Sequence, residues 1–131
     1  MGLKLETMCV VLDSGNSEEL ADFYAKLLGW TKYGKRPDDE WLVVSNSKRD
    51  GLPELVFQEV ENFERPIWPE TPGKHQQMIH LDFHVDDLEE GVQHALSCGA
   101  VLSPVQLEPD WRVLFDPAGH PFCILPKRFP D

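Results

Sequence analysis

Cysteine is scarce. The three cysteines, Cys9, Cys98 and Cys123, lie far apart and form no C-x-x-C pair. That excludes a disulfide framework and a zinc knuckle, and it suits reduced thiols. Positive charge is also scarce. Lys and Arg number 12 against 23 Asp and Glu, for a net charge of −11. So acidic a surface repels phosphate backbones and anionic membranes, which argues against nucleic acid and lipid as partners. Its simplest role is solubility. No apolar run approaches the roughly 18 residues that cross a bilayer. The opening Met1-Gly2-Leu3-Lys4-Leu5-Glu6 lacks a signal-peptide core, and Glu6 spoils a myristoylation match. The expected location is therefore the cytoplasm.

What is present is an ordinary folded composition, 41% hydrophobic and 27% charged over 131 residues. That is one domain, or two small modules sharing a core. Residues 61–77 carry three prolines and one glycine, which rule out a regular helix or a central strand. This linker separates two halves of nearly equal length.

The halves repeat one plan. The first opens with the apolar run Thr7 to Leu12, then turn residues Asp13 to Ser17, then a helix from Glu18 to Leu28. Leu20, Phe23, Tyr24, Leu27 and Leu28 form its apolar stripe. Asn16 or Ser17 can cap its start, and Gly29 stops it. The second half opens with Met78 to Val85. Here Ile79, Leu81, Phe83 and Val85 alternate with His80, Asp82 and His84, the period of a strand packed on one face. Asp86-Asp87 precedes a helix from Leu88 to Cys98, ended by Gly99. The two caps, Asn16 and Asp87, stand about 71 positions apart.

Three short strands follow each helix: Trp30–Tyr33, Glu40–Val44 and Glu54–Val60, then Val101–Val105, Trp111–Phe115 and Pro121–Leu125. The chain therefore reads β-α-β-β-β twice, an α+β fold. Each module covers one sheet face with its helix. The bare faces are expected to form a curved mixed sheet around a shared cup, with the helices outside. Module one spans about 1–60 and module two 78–131, as a single domain.

This doubled pattern resembles the vicinal oxygen chelate superfamily. The resemblance rests on Phe23-Tyr24-Ala25-Lys26-Leu27-Leu28-Gly29-Trp30 and on Asp116-Pro117-Ala118-Gly119-His120-Pro121-Phe122. The superfamily holds glyoxalase I, bleomycin and fosfomycin resistance proteins, extradiol dioxygenases and methylmalonyl-CoA epimerase. Arg65-Pro66-Ile67-Trp68-Pro69, leading into Gln77 to Phe83, is similar to the glyoxalase-like domain branch.

The resemblance implies four metal-ligand positions, on the first and last strands of each module. Here they fall on Cys9, Leu55, His80 and Cys123, with Glu54 one step out of register. A shift of one residue in module one brings in Val10 or Glu54. Two thiolates and an imidazole can hold zinc, but both thiols must first lose their protons. No metal and no other cofactor is expected. His80 and His84 share a strand face but lie about 13 Å apart, too far for one ion. His80 and Asp82 are close enough to bind together, but no third ligand at a characteristic spacing is evident.

His80 and Asp82 read either as a structural pair or as a general base and its orienting carboxylate. Cys9 and Cys123 face the cup, more as filler than as nucleophiles. Trp41 and Trp111 sit at corresponding positions and offer flat walls, Trp68 can clamp the rim, and Gln58 adds a neutral amide. The favoured function is metal-free binding of a small, planar, neutral or cationic ligand. The drug-sequestering members of the superfamily imply a homodimer. A lyase or isomerase using a divalent metal or the His80–Asp82 pair is the second reading. A structural or regulatory module with a filled cup is the third.

Overall fold

The computed structural model describes residues 2–5, 7–34, 42–46 and 53–128. It divides into two compact units, Met1–Phe63 and Glu64–Asp131.

In the first unit, β1 (Cys9–Ser14) leads to α1 (Ser17–Leu28), β2 (Thr31–Tyr33), β3 (Leu42–Ser45) and β4 (Glu54–Glu59). Asn16 caps α1 by accepting from the Glu19 N–H, and Gly29 closes it in the left-handed conformation at φ 68°. The strand order is β1-β4-β3-β2, with β1 parallel to β4 and the other pairs antiparallel. Tyr24 of α1 stacks on Phe57 of β4 with ring centroids 5.9 Å apart. That contact puts Phe57, and by alternation Leu55, on the helix-facing side. Lys32 on β2 reaches Glu18 and Asp22 of α1, the latter at 2.7 Å.

The second unit repeats the order with β5 (Leu81–Val85), α2 (Leu88–Cys98), β6 (Val101–Leu102), β7 (Arg112–Phe115) and β8 (Pro121–Pro126). Its sheet runs β5-β8-β7-β6 with the same parallel and antiparallel pattern. Asp87 caps α2. Gly91 lets α2 approach the sheet. A Cβ there would lie 3.2 Å from both Ile124 and Val85.

Two expected strands start two or three residues late. The first begins at Cys9, not Thr7, and the fifth at Leu81, not Met78. Ile79, read as part of the packed face, is 77% exposed. A period-two pattern marks a side, but a strand exists only where a neighbour supplies its hydrogen bonds. The β5–β8 ladder starts at Leu81↔Phe122. The expected strand Val101–Val105 shrinks to two residues. The Ser103 N–H still donates to the Val113 carbonyl at 3.0 Å, but beyond it the Ser103 hydroxyl donates to the Val105 carbonyl and the Gln106 side chain bonds both main-chain groups of Val113 in place of a strand.

The proline-rich segment packs within the second unit. Arg65 donates to the Pro117 carbonyl at 2.9 Å, and the Ile67 N–H donates to the His75 carbonyl at 2.7 Å. The turn it meets is organised by Asp116, which is buried and accepts from the N–H groups of Ala118 and His120.

Candidate functional site

Strand alternation sorts each sheet into a helix-facing side and an opposite side. In the first unit the opposite side carries Cys9, Val11 and Asp13 of β1, paired with Glu54, Val56 and Gln58 of β4. The Cys9 Sγ lies 3.9 Å from a Glu54 carboxylate oxygen. Partial burial, and then the Glu54 charge, push the Cys9 thiol up from its ordinary pKa. Leu55, placed at a ligand position by the resemblance, instead packs toward α1 and is 3% exposed. The one-residue shift to Glu54 is the register the ladder adopts.

In the second unit the corresponding side carries Asp82 and His84 of β5, with Cys123 and Leu125 of β8 across the ladder. Trp111 precedes β7 and alternates with Arg112, whose guanidinium points to Glu89 of α2. Trp111 therefore shares the side of Val113, which pairs with Cys123. His84 Nδ1 lies 2.8 Å from the Pro126 carbonyl.

Three functional groups converge here. His80 Nε2 lies 3.2 Å from Asp82 Oδ1. The donor atoms of His80, Asp82 and Cys123 all fall within 4.8 Å of one another. Burial, then the Asp82 charge, then a hydrogen bond to Asp82 push the Cys123 thiol up to about 12. The sequence reading set His80 and Cys123 at two ligand positions and paired His80 with Asp82, without joining the three. The β5–β8 register, with Asp82 opposite Cys123, joins them.

The remaining expected residues are placed separately. Gln58 is half-buried opposite Asp13. Trp68 lies in the proline-rich segment. Its indole N–H, like the Gln77 side-chain oxygen, is buried with no hydrogen-bond partner among the described residues. Nothing in the sequence singled out Gln77. Trp41 lies outside the described residues.

The profile of the glyoxalase-like domain matches residues 9–125, nearly the whole chain. The chain belongs to the glyoxalase-like domain family. No curated protein sequence matches it significantly. The solved structures agree on the fold of this glyoxalase-like protein. It is similar to TnmS3, an antibiotic binding protein from Streptomyces sp. CB03234, at 18% identity and a TM-score of 0.62, covering 97% of this chain and 98% of that one. It is similar to a glyoxalase/bleomycin resistance protein/dioxygenase family enzyme from Burkholderia phytofirmans PsJN, at 20% identity and a TM-score of 0.60, covering 90% and 95%. It is also similar to lactoylglutathione lyase from Agrobacterium tumefaciens, at 16% identity and a TM-score of 0.57, covering 91% of each chain. No helix among the described residues is long and apolar enough to cross a membrane.

The metal that this superfamily implies can be tested against the residues present. The spacing of His80, Asp82 and Cys123 would allow one ion to touch all three. They make a short donor set. It offers one imidazole, one carboxylate and one thiol that must give up its proton before it can ligate, and no fourth donor joins them among the described residues. The four-ligand set that the superfamily implies is not assembled here.

The raised thiol pKa has a consequence for stability. The folded state keeps the Cys123 proton between its ordinary value of 9.0 and about 12, whereas the unfolded chain loses it. The unfolded state then binds fewer protons, so stability falls as pH climbs through that window. Urea midpoints measured across it are expected to decline. In Cys123→Ala the decline is expected to be shallower.

Proposed function

We propose that this glyoxalase-like protein binds a small, planar, neutral or cationic molecule without a resident metal. In this reading the ligand lies on the sheet face turned away from α2, beside His80, Asp82 and Trp111. The observation that carries it is the donor set: at the strand positions where the superfamily's ligands fall, this chain offers a thiol beside a carboxylate in the second unit and, in the first, a leucine packed toward its helix. An imidazole and a carboxylate remain for polar contact, and Trp111 supplies a flat apolar surface. The net charge of −11 favours a cation over an anion. The likeness to an antibiotic binding protein supports a binding role. A homodimer belongs to the same proposal.

The test is tryptophan quenching by metal-free bleomycin and by proflavine, a planar cation, with and without EDTA. Saturable binding of at least one probe is expected, unchanged by EDTA. His80→Ala should weaken it by about tenfold, the loss of one good polar contact. Binding that needs an added divalent ion, or no binding of either probe, overturns the reading.

A further inference from the structure

The first unit contains a thiol–carboxylate pair, Cys9 with Glu54, and the second contains another, Asp82 with Cys123. Both are direct partners in a parallel ladder, with the roles of first and last strand exchanged. All five histidines follow residue 63, so the first unit supplies no imidazole to its own pair, whereas the second does.

Three points of chemistry give the second cluster a direction. The Cys123 thiol lies within 4.8 Å of the Asp82 carboxylate, and a carboxylate only accepts, so the thiol is the donor of the two. His80 Nε2 faces Asp82 Oδ1 at 3.2 Å. A bare ring nitrogen there would set lone pair against lone pair, so Nε2 carries the hydrogen. In the neutral ring, Nδ1 is then a bare acceptor, and it has no partner among the described residues. The His80 side chain is 41% exposed, so a ligand can reach it.

We infer that Cys123 is a positioning residue whose thiol anchors Asp82, so that His80 keeps its hydrogen on Nε2 and offers Nδ1 to ligands bearing a hydroxyl or N–H donor. The thiol stands beside the carboxylate from a buried position on β8, directly across the ladder. Without it, Asp82 sits on an exposed strand face and is free to change rotamer. Ligand choice follows from the lone pair. A donor group is accepted, whereas the matching methyl ether sets oxygen against nitrogen and is rejected. The specificity half of this inference rests on the binding role proposed above. The positioning half does not.

The experiment uses the full chain. Imidazole ¹H–¹⁵N spectra of the neutral rings are expected to show a slowly exchanging Nε2–H for His80. Cys123→Ser, which keeps a donor, should retain the signal, and Cys123→Ala should lose it. Asp82→Ala, on the exposed side of β5, removes the acceptor and should also lose it, and Cys123→Val serves if Cys123→Ala does not fold. Binding of 2-naphthol is expected to exceed that of 2-methoxynaphthalene by about tenfold, narrowing towards parity in Cys123→Ala. A signal and a preference unchanged when the Cys123 thiol is removed overturn the inference, even where Asp82→Ala loses both. An intact signal with no preference for the naphthol overturns its specificity half and leaves Cys123 as a positioning residue. Stoichiometric cobalt binding with a thiolate-to-metal absorption band overturns the whole, because Cys123 is then a ligand.

Discussion

Phe57→Ala should cost the first unit about 3–5 kcal/mol, the usual loss when a fully buried aromatic becomes a methyl group. Phe57 is 0% exposed on β4, the strand that joins β1 to β3. Its ring stacks on Tyr24, which in turn meets Phe23 edge-on at 4.9 Å. Truncation removes the contact that fastens α1 to the middle of the sheet. Leu42, its register partner, is also fully buried and cannot swing in without leaving its own site. The cavity therefore stays largely open. Denaturant titration read by hydrogen exchange at the amides of α1 and β4 checks this. Phe57→Leu should recover more than half the loss. Equal damage from Leu and Ala would mean that ring stacking, not volume, dominates.

Asp116→Ala should cost about 2–4 kcal/mol by a different route. The carboxylate is 1% exposed, and one of its oxygens accepts from Ala118 N–H at 2.9 Å and His120 N–H at 3.0 Å. Alanine leaves those donors without their acceptor inside a turn whose Gly119 already sits at φ 90°. The turn cannot relax freely. Arg65 is bonded to Pro117, and its guanidinium lies where a Cβ on Gly119 would be, 2.8 Å from Nε. Asp116→Asn keeps an acceptor oxygen in place and should recover most of the loss. Thermal melts of the three proteins decide it. A harmless alanine would show that water satisfies both N–H groups.

These two sites were unequally legible. The helix-facing side of β4 was not, because Glu54 to Val60 is apolar on both alternations for three residues, Leu55 to Phe57. Period-two reasoning has no preference there, and the candidate ligand position fell on Leu55. The turn after β7 was legible, because Asp-Pro-x-Gly has turn chemistry written into it.

The helices were the most readable elements. Their stripes, caps and glycine stops are local, and α2 spans Leu88–Cys98 as expected. For α1 the start moves back one residue, because Asn16 rather than Ser17 provides the cap. The doubled β-α-β-β-β order was equally local and survives intact in both sheets. Strand starts were not local, as Ile79 shows.

Local preference thus determined which segments become helix or strand and their order, because capping, periodicity and turn chemistry act over a few residues. Tertiary structure alone decided that Glu54 rather than Leu55 stands beside Cys9, and that Asp82 stands directly opposite Cys123. Those contacts follow from the register of two parallel ladders between strands distant in sequence. A slip of one residue turns every side chain to the other face, and only the packing of the whole sheet against its helix selects between them.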